Sequence, residues 1–239
     1  MTRHLGPAAG YLSEMKVNRF APRLAAAVLV CLANRLPAQS PAETAYERVA
    51  RVWRSTQSLE ARFDQRITNP LLGRTVTSRG LFQQQRPDRV SITFTDPAGD
   101  RIVGDGRSLW VYLPSTSPGQ VLKLPASADG AIVADLLGLL LETPRQAFVI
   151  TGGEAATIEG ESTQRVQLVP RAAGSIPFQK ATLWLSERRP VRLQVIDAQG
   201  IDRLITLTSW ATDASIPRDA FTFKVPKGVK VLTKLPGAT

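Results

Sequence analysis

Residues 80–114 read GLFQQQRPDRVSITFTDPAGDRIVGDGRSLWVYLP, and their alternation decides the fold. Val90, Ile92 and Phe94 alternate with Ser91, Thr93 and Thr95, which puts three apolar side chains on one face of a pleated strand. Gly104-Asp105-Gly106-Arg107 then separates Arg101-Ile102-Val103 from Ser108-Leu109-Trp110-Val111-Tyr112. An Asp-Gly pair between two such runs is a hairpin signal, because a type I′ turn needs positive φ at both central residues. One cation, Arg86, precedes the proline that opens the first apolar strand.

The strand pattern continues outward on both sides. Upstream, Leu59, Ala61, Phe63, Gln65 and Ile67 alternate with charged or polar neighbours, Asn69-Pro70 and Gly73 mark a turn, and residues 74–85 return. Downstream, Asp96-Pro97-Ala98-Gly99 forms another turn, and extended structure resumes at 120–124 after a loop at 115–119. Beyond residue 145 the candidate strands are 148–151, 164–169, 179–185, 191–196 and 204–209, closing with 221–225. Gly152-Gly153, Glu159-Gly160, Gly174 and residues 197–200 divide them as turns.

Two segments break this rhythm. Residues 41–57 carry Ala42, Ala45, Tyr46, Val49, Val52 and Trp53 at helical spacing, with Ser40 as N-cap, Pro41 in the first turn and Glu43 three residues on. Trp53 is expected to pack rather than to touch a ligand. Residues 129–142, DGAIVADLLGLLLE, are apolar on nearly every side and predict a buried helix that stops at Thr143-Pro144. Gly138 inside it weakens the helix by about 1 kcal/mol relative to alanine. This helix reads either as a plain core element or as a movable lid whose inner leucines contact an apolar ligand. About ten strands with two or three helices, and no alternating βαβ rhythm, predict a mainly β protein with some α. Its single antiparallel sheet should curl around its apolar face. Residues 39–239 are expected to form one domain.

Composition narrows the chemistry. The chain has 239 residues, 43% of them hydrophobic and 21% charged, so a real core is expected. The formal net charge is +10, but residues 1–40 contain five basic residues against one acid, and the remaining surplus is spread along the strands. Aromatic residues are few and not interleaved with a basic run, which gives no support to nucleic-acid binding. Lys16, Arg19 and Arg23 precede an apolar run at 24–33, and Leu36-Pro37-Ala38 follows. Residues 1–38 therefore read as an upstream extension plus a Sec-type signal peptide, with Met15 a better start than Met1 and cleavage expected after Ala38. About ten apolar residues are too few to span a bilayer.

His4 is the only histidine and Cys31 the only cysteine. A chain cleaved after Ala38 keeps neither, which excludes serine–histidine and cysteine–histidine nucleophile pairs and the commonest zinc constellations. Val30 before Cys31 argues against lipidation there; a lipidated Cys31 would instead mark a membrane-anchored acceptor. Asp100, Asp105 and Asp129 show no spacing that demands catalysis, and turn or cap roles explain them. No enzymatic activity is expected.

Several of these residues together resemble a known family. Ser58-Leu59-Glu60-Ala61-Arg62-Phe63-Asp64-Gln65 is similar to the helix-to-strand entry of the periplasmic outer-membrane lipoprotein carriers (LolA). The likeness continues through Gly80, Arg86-Pro87, Asp96-Pro97, Asp105-Gly106, Leu109-Trp110, Tyr112 and Pro114, and ends at 221–229, FTFKVPKGV. The resemblance implies an incomplete antiparallel β-barrel closed by helices, with an apolar cavity that shields lipoprotein acyl chains and no cofactor. It implies a periplasmic, monomeric carrier that receives cargo from an inner-membrane ABC transporter and passes it to an outer-membrane receptor. A lipid-binding or lipoprotein-sensing module on the same fold is the alternative. Arg86 falls on the family arginine that latches a lid through the lid's backbone carbonyls. Val90, Ile92 and Phe94 fall on cavity-lining strand positions. Trp110 and, from the lid segment 132–141, Ile132, Val133, Leu136, Leu137 and Leu140 complete the expected acyl cavity. The chain departs from the family in carrying Ile92 where an aromatic is usual.

Overall fold

The computed structural model describes residues 39–126 and 135–233; the expected signal segment and the expected cavity residues Ile132 and Val133 lie outside them. Its strands follow the alternation read from the sequence. They are β1 (Ser58–Asn69), β2 (Arg74–Gln85), β3 (Arg89–Asp96), β4 (Ala98–Asp105), β5 (Ser108–Tyr112), β6 (Gln120–Pro125), β7 (Phe148–Ile158), β8 (Glu161–Pro170), β9 (Lys180–Leu185), β10 (Pro190–Ile196), β11 (Asp202–Leu207), β12 (Ala211–Thr212) and β13 (Lys230–Leu232). All belong to one curved, open sheet in the order β13-β6-β5-β4-β3-β2-β1-β11-β10-β9-β8-β7, with β12 on β1. The long antiparallel ladder of β1 with β2, from Ser58 opposite Gln85 to Asn69 opposite Arg74, forms its spine.

The capping signals place the first helix, α1 (Pro41–Ser55). Ser40 Oγ accepts from the Glu43 N–H at 3.2 Å, and Glu43 Oε2 accepts from the Ser40 N–H at 3.0 Å. This box satisfies two donors that the helix itself cannot. Ala42, Ala45, Tyr46, Val49, Ala50 and Trp53 form its buried stripe. The stripe packs on β7 and β8 and on the second helix, α2 (Leu136–Glu142). Tyr46 meets Phe148 edge-on at 6.5 Å, and Phe148 stacks on Phe178 at 6.1 Å.

Four local expectations are corrected. The β4–β5 hairpin is present, but its two-residue loop is Gly106-Arg107 rather than Asp105-Gly106. Only Gly106 takes positive φ (88°), the II′ arrangement, which leaves Asp105 free to accept from the Arg107 and Ser108 N–H groups at 2.8 Å each. Gly152-Gly153 is not a turn. It is a bulge within β7, where the register to β8 shifts between Gly152 and Glu154. Residues 221–225 form no strand. Arg218–Phe221 is a 3₁₀ turn, and the last strand, β13, adds to β6 in parallel, the single non-antiparallel pair among the described residues. The helix expected over 129–142 is, within the described residues, Leu136–Glu142, capped by Asp135.

Candidate functional site

Period-two alternation on β1 through β6, β10 and β11 delivers apolar side chains to one face of the sheet, and α2 crosses that face. Between them lies a cavity of about 390 Å³, within the range of roughly 300–1,000 Å³ common for small-ligand sites. Phe63, Phe82, Ile92, Phe94, Leu136 and Leu137 are among its walls, and Gln65 and Arg203 are the only polar lining residues among those described. Phe63 and Phe94 meet edge-to-face at 5.8 Å. Gln65 is satisfied, since its Nε2 donates to Ser78 Oγ at 2.9 Å. A space so lined holds no water tightly and suits alkyl chains.

The expected cavity residues divide into two groups. Ile92, Phe94, Leu136 and Leu137 line the space. Val90 shares the inward face of β3 but lies in the closed core, 9% exposed, opposite Gly104 and Gln84. Leu140 is fully buried in that core one turn beyond the cavity wall. Trp110 points the other way, because Leu109 and Val111 on either side line the cavity and successive side chains alternate. It stacks on Phe223 at 5.4 Å outside the sheet, with Lys123 Nζ 4.8 Å from its ring, and its Nε1 donates to Asp105 at 3.3 Å. Burial opposes ionisation of Asp105, but these hydrogen bonds and Lys123 outweigh it and hold the carboxyl below its ordinary range.

Helix α2 is half wall and half core. Leu136 and Leu137 face the cavity, whereas Leu140 and Leu141 are fully buried. At its end the Tyr46 hydroxyl donates to the Leu140 carbonyl at 2.9 Å and lies 3.2 Å from that of Thr143. Burial pushes the Tyr46 phenol above its ordinary value, so it stays a donor at any physiological pH.

Arg86 joins the ends of both helices. Its Nε donates to Thr56 O at 2.8 Å and its Nη2 to Trp53 O at 3.2 Å, both at the C-terminus of α1. Nη2 also lies 2.8 Å from Glu142 Oε1, which accepts from Trp53 Nε1 at 3.0 Å. Among the described residues the carbonyls it holds belong to α1, and it reaches α2 through a carboxylate side chain, not through the backbone carbonyls expected of a latch; residues 132–134 of the expected lid lie outside the described residues.

The N-terminal end of α2 rests on Asp135. Its Oδ1 accepts from the Gly138 N–H at 2.7 Å and its Oδ2 from Gln84 Nε2 at 2.8 Å. Gly138 makes room for this fold-back, since a Cβ there would sit 2.3 Å from Asp135 Oδ2. Burial raises the Asp135 pKa above its ordinary 3.8, with Glu142 adding to the shift, against the two hydrogen bonds and Arg86. A carboxyl with a raised folded pKa binds its proton more tightly in the folded state. Its contribution to stability is thus greatest below the ordinary value and is lost as pH rises through the folded one. Asp135→Asn keeps an acceptor for Gly138 and removes the buried charge. Its stability relative to wild type, followed by urea unfolding, should rise with pH across that interval and then level off. A flat difference would contradict this.

Sequence patterning alone did not reveal Asp135, Glu142 or Arg203. Arg203 was detectable in principle, because it shares period two with Ile205 and Leu207.

The sequence profile described as Outer membrane lipoprotein carrier protein LolA matches residues 54–224. An outer-membrane lipoprotein carrier protein of Alkalilimnicola ehrlichii is 33% identical over 221 residues, covering 91% of this chain and 98% of the relative. One of Methylibium petroleiphilum is 26% identical over 175 residues, covering 73% and 82%. Among solved structures, an uncharacterised conserved protein of Thermus thermophilus superposes with a TM-score of 0.50 at 12% identity, over 82% of this chain and all of the other (100%), a likeness of fold alone.

Proposed function

Because the chain belongs to the family of the outer membrane lipoprotein carrier protein LolA, we propose that it shelters lipoprotein acyl chains in its cavity and shuttles them across the periplasm to the outer membrane. The observation that carries this reading is the apolar cavity between the sheet and α2. Each methylene withdrawn from water contributes about 0.8 kcal/mol, so a free acyl chain demands cover in transit. Ile92, Phe94, Leu136 and Leu137 are the residues we assign to that cover. An inner-membrane ABC transporter would supply the cargo and an outer-membrane receptor would accept it. The basic and apolar runs within residues 1–38 fit export by a signal peptide.

The test is release of a tagged lipoprotein from spheroplasts. Adding the purified protein should bring the lipoprotein into the soluble fraction as a complex with it. Lipoprotein that stays membrane-bound at saturating carrier would refute the proposal.

A further inference from the structure

Among the described residues, Arg203 is the one charged side chain in the cavity wall. It stands two residues before Ile205 on β11, so it shares the inward face, opposite Ile67 of β1 and Val195 of β10. It also lines a second cavity, of about 580 Å³, walled by Leu136 and Leu139 of α2 and by Gly174, Ser175, Pro177 and Phe178. The two spaces thus meet at Leu136 and Arg203.

A guanidinium carries five N–H donors. Among the described residues, Arg203 makes no side-chain hydrogen bond or ion pair, unlike Arg86, Arg189 and Arg192, each of which meets a carboxylate. Burial lowers its pKa from the ordinary arginine value, with only the more distant charge of Asp197 acting the other way. Arg203 is half-buried, so its donors keep some access to water, and an acceptor bound in the cavity would replace that water with charge-assisted hydrogen bonds in an apolar wall.

The acceptor's charge can be argued from Asp197, which lines the second cavity beside Arg203. Asp197 Oδ1 accepts from the Gln199 and Ile201 N–H groups at 2.9 Å each, while Oδ2 takes no hydrogen bond among the described residues. An incoming phosphate or carboxylate would meet this like charge. A neutral carbonyl would not, and an amide N–H beside it could donate to the open Oδ2. We propose that Arg203 is a binding residue that donates to the ester and amide carbonyl oxygens at the head of the cargo's acyl chains, with the chains in the first cavity and the linkage at the junction with the second. This rests on the carrier reading above.

The experiment compares two synthetic lipopeptides of equal chain length, one a diacylglyceryl-cysteine peptide and the other its dialkylglyceryl ether counterpart. Both are titrated into wild type and Arg203→Met, with Arg203→Lys as a second variant and thermal unfolding as the check on folding. Loss of one or two charge-assisted hydrogen bonds should weaken ester binding about tenfold in Arg203→Met and leave ether binding unchanged. Arg203→Lys, which keeps a donor, should fall between; if the Met variant does not fold, the Lys variant must show the same ester-selective loss. Equal loss for both peptides, or none, overturns the role of Arg203 while leaving the carrier reading intact. A wild type that binds neither peptide removes the carrier reading as well. Preference for phosphatidylglycerol vesicle lipid over the ester peptide, abolished in Arg203→Met, would overturn the neutral-linkage assignment in favour of an anionic headgroup.

Discussion

Arg86→Leu is expected to destabilise the protein by about 2–4 kcal/mol in urea unfolding, with Glu142→Gln costing under about 1 kcal/mol. The difference follows from what each bond satisfies. The last carbonyls of a helix lack their usual partner four residues on, and Arg86 supplies donors to two carbonyls at this end: Thr56 O, and Trp53 O, which also accepts the Thr56 N–H at 3.1 Å. Its charge also lies at the negative end of the α1 dipole. The Arg86 side chain is 22% exposed, so these bonds are only partly replaced by water when it is lost. Glu142 is 43% exposed, which screens its ion pair. The Glu142→Gln variant also retains an acceptor for Trp53 Nε1. Equal losses in the two variants would show that the ion pair, not the carbonyl bonds, carries the stability. Hydrogen exchange adds a second reading: Arg86→Leu should speed exchange at the C-terminus of α1 as well as in α2. An arginine acting only on the lid would leave α1 unchanged.

Much of this architecture is legible in the chain because its signals are local. The Ser40–Glu43 capping box places α1, and the alternation at 59–67 and 90–94 places the strands that build the cavity wall. The errors have a common origin in tertiary pairing. Phe221–Val225 has strand composition, yet its Phe223 is used to cover Trp110 and Tyr112 from outside the sheet. Trp110 sits in a strand whose inward residues are its neighbours, and the unbroken apolar run Leu109-Trp110-Val111-Tyr112 carries no alternation to say which face is inward. Gly152-Gly153 has the composition of a turn, but its strand continues through a bulge paired to β8. The partners of Arg86 and Asp135 are 30 and 51 residues away, at Thr56 and Gln84, a separation that no sequence window spans. The sequence resemblance did supply Arg86, though not which carbonyls it holds.

Leu140→Ala and Leu137→Ala, three residues apart on α2, should separate stability from binding. Leu140 is fully buried and packed in the core that contains Tyr46 and Phe148, so truncation loses its transfer energy and leaves a void as well. The expected cost is about 2–5 kcal/mol. Leu137 is 6% exposed, but it already borders empty space, so its loss enlarges a cavity instead of creating one. Only the transfer part remains, at about 1.5–3 kcal/mol as an upper bound. The ligand responds in the opposite order. A bound acyl lipopeptide raises the unfolding free energy by an amount set by its concentration over Kd. That increment should be nearly the same in Leu140→Ala as in wild type, because Leu140 does not reach the cavity. It should shrink in Leu137→Ala, where the alkyl chain loses part of its wall. Unfolding both variants with and without lipopeptide reads the two effects together. A reduced ligand increment in Leu140→Ala with an intact one in Leu137→Ala would mean that the acyl chain enters the core side of α2, and that the cavity between the sheet and the first turn of α2 is not where it lies.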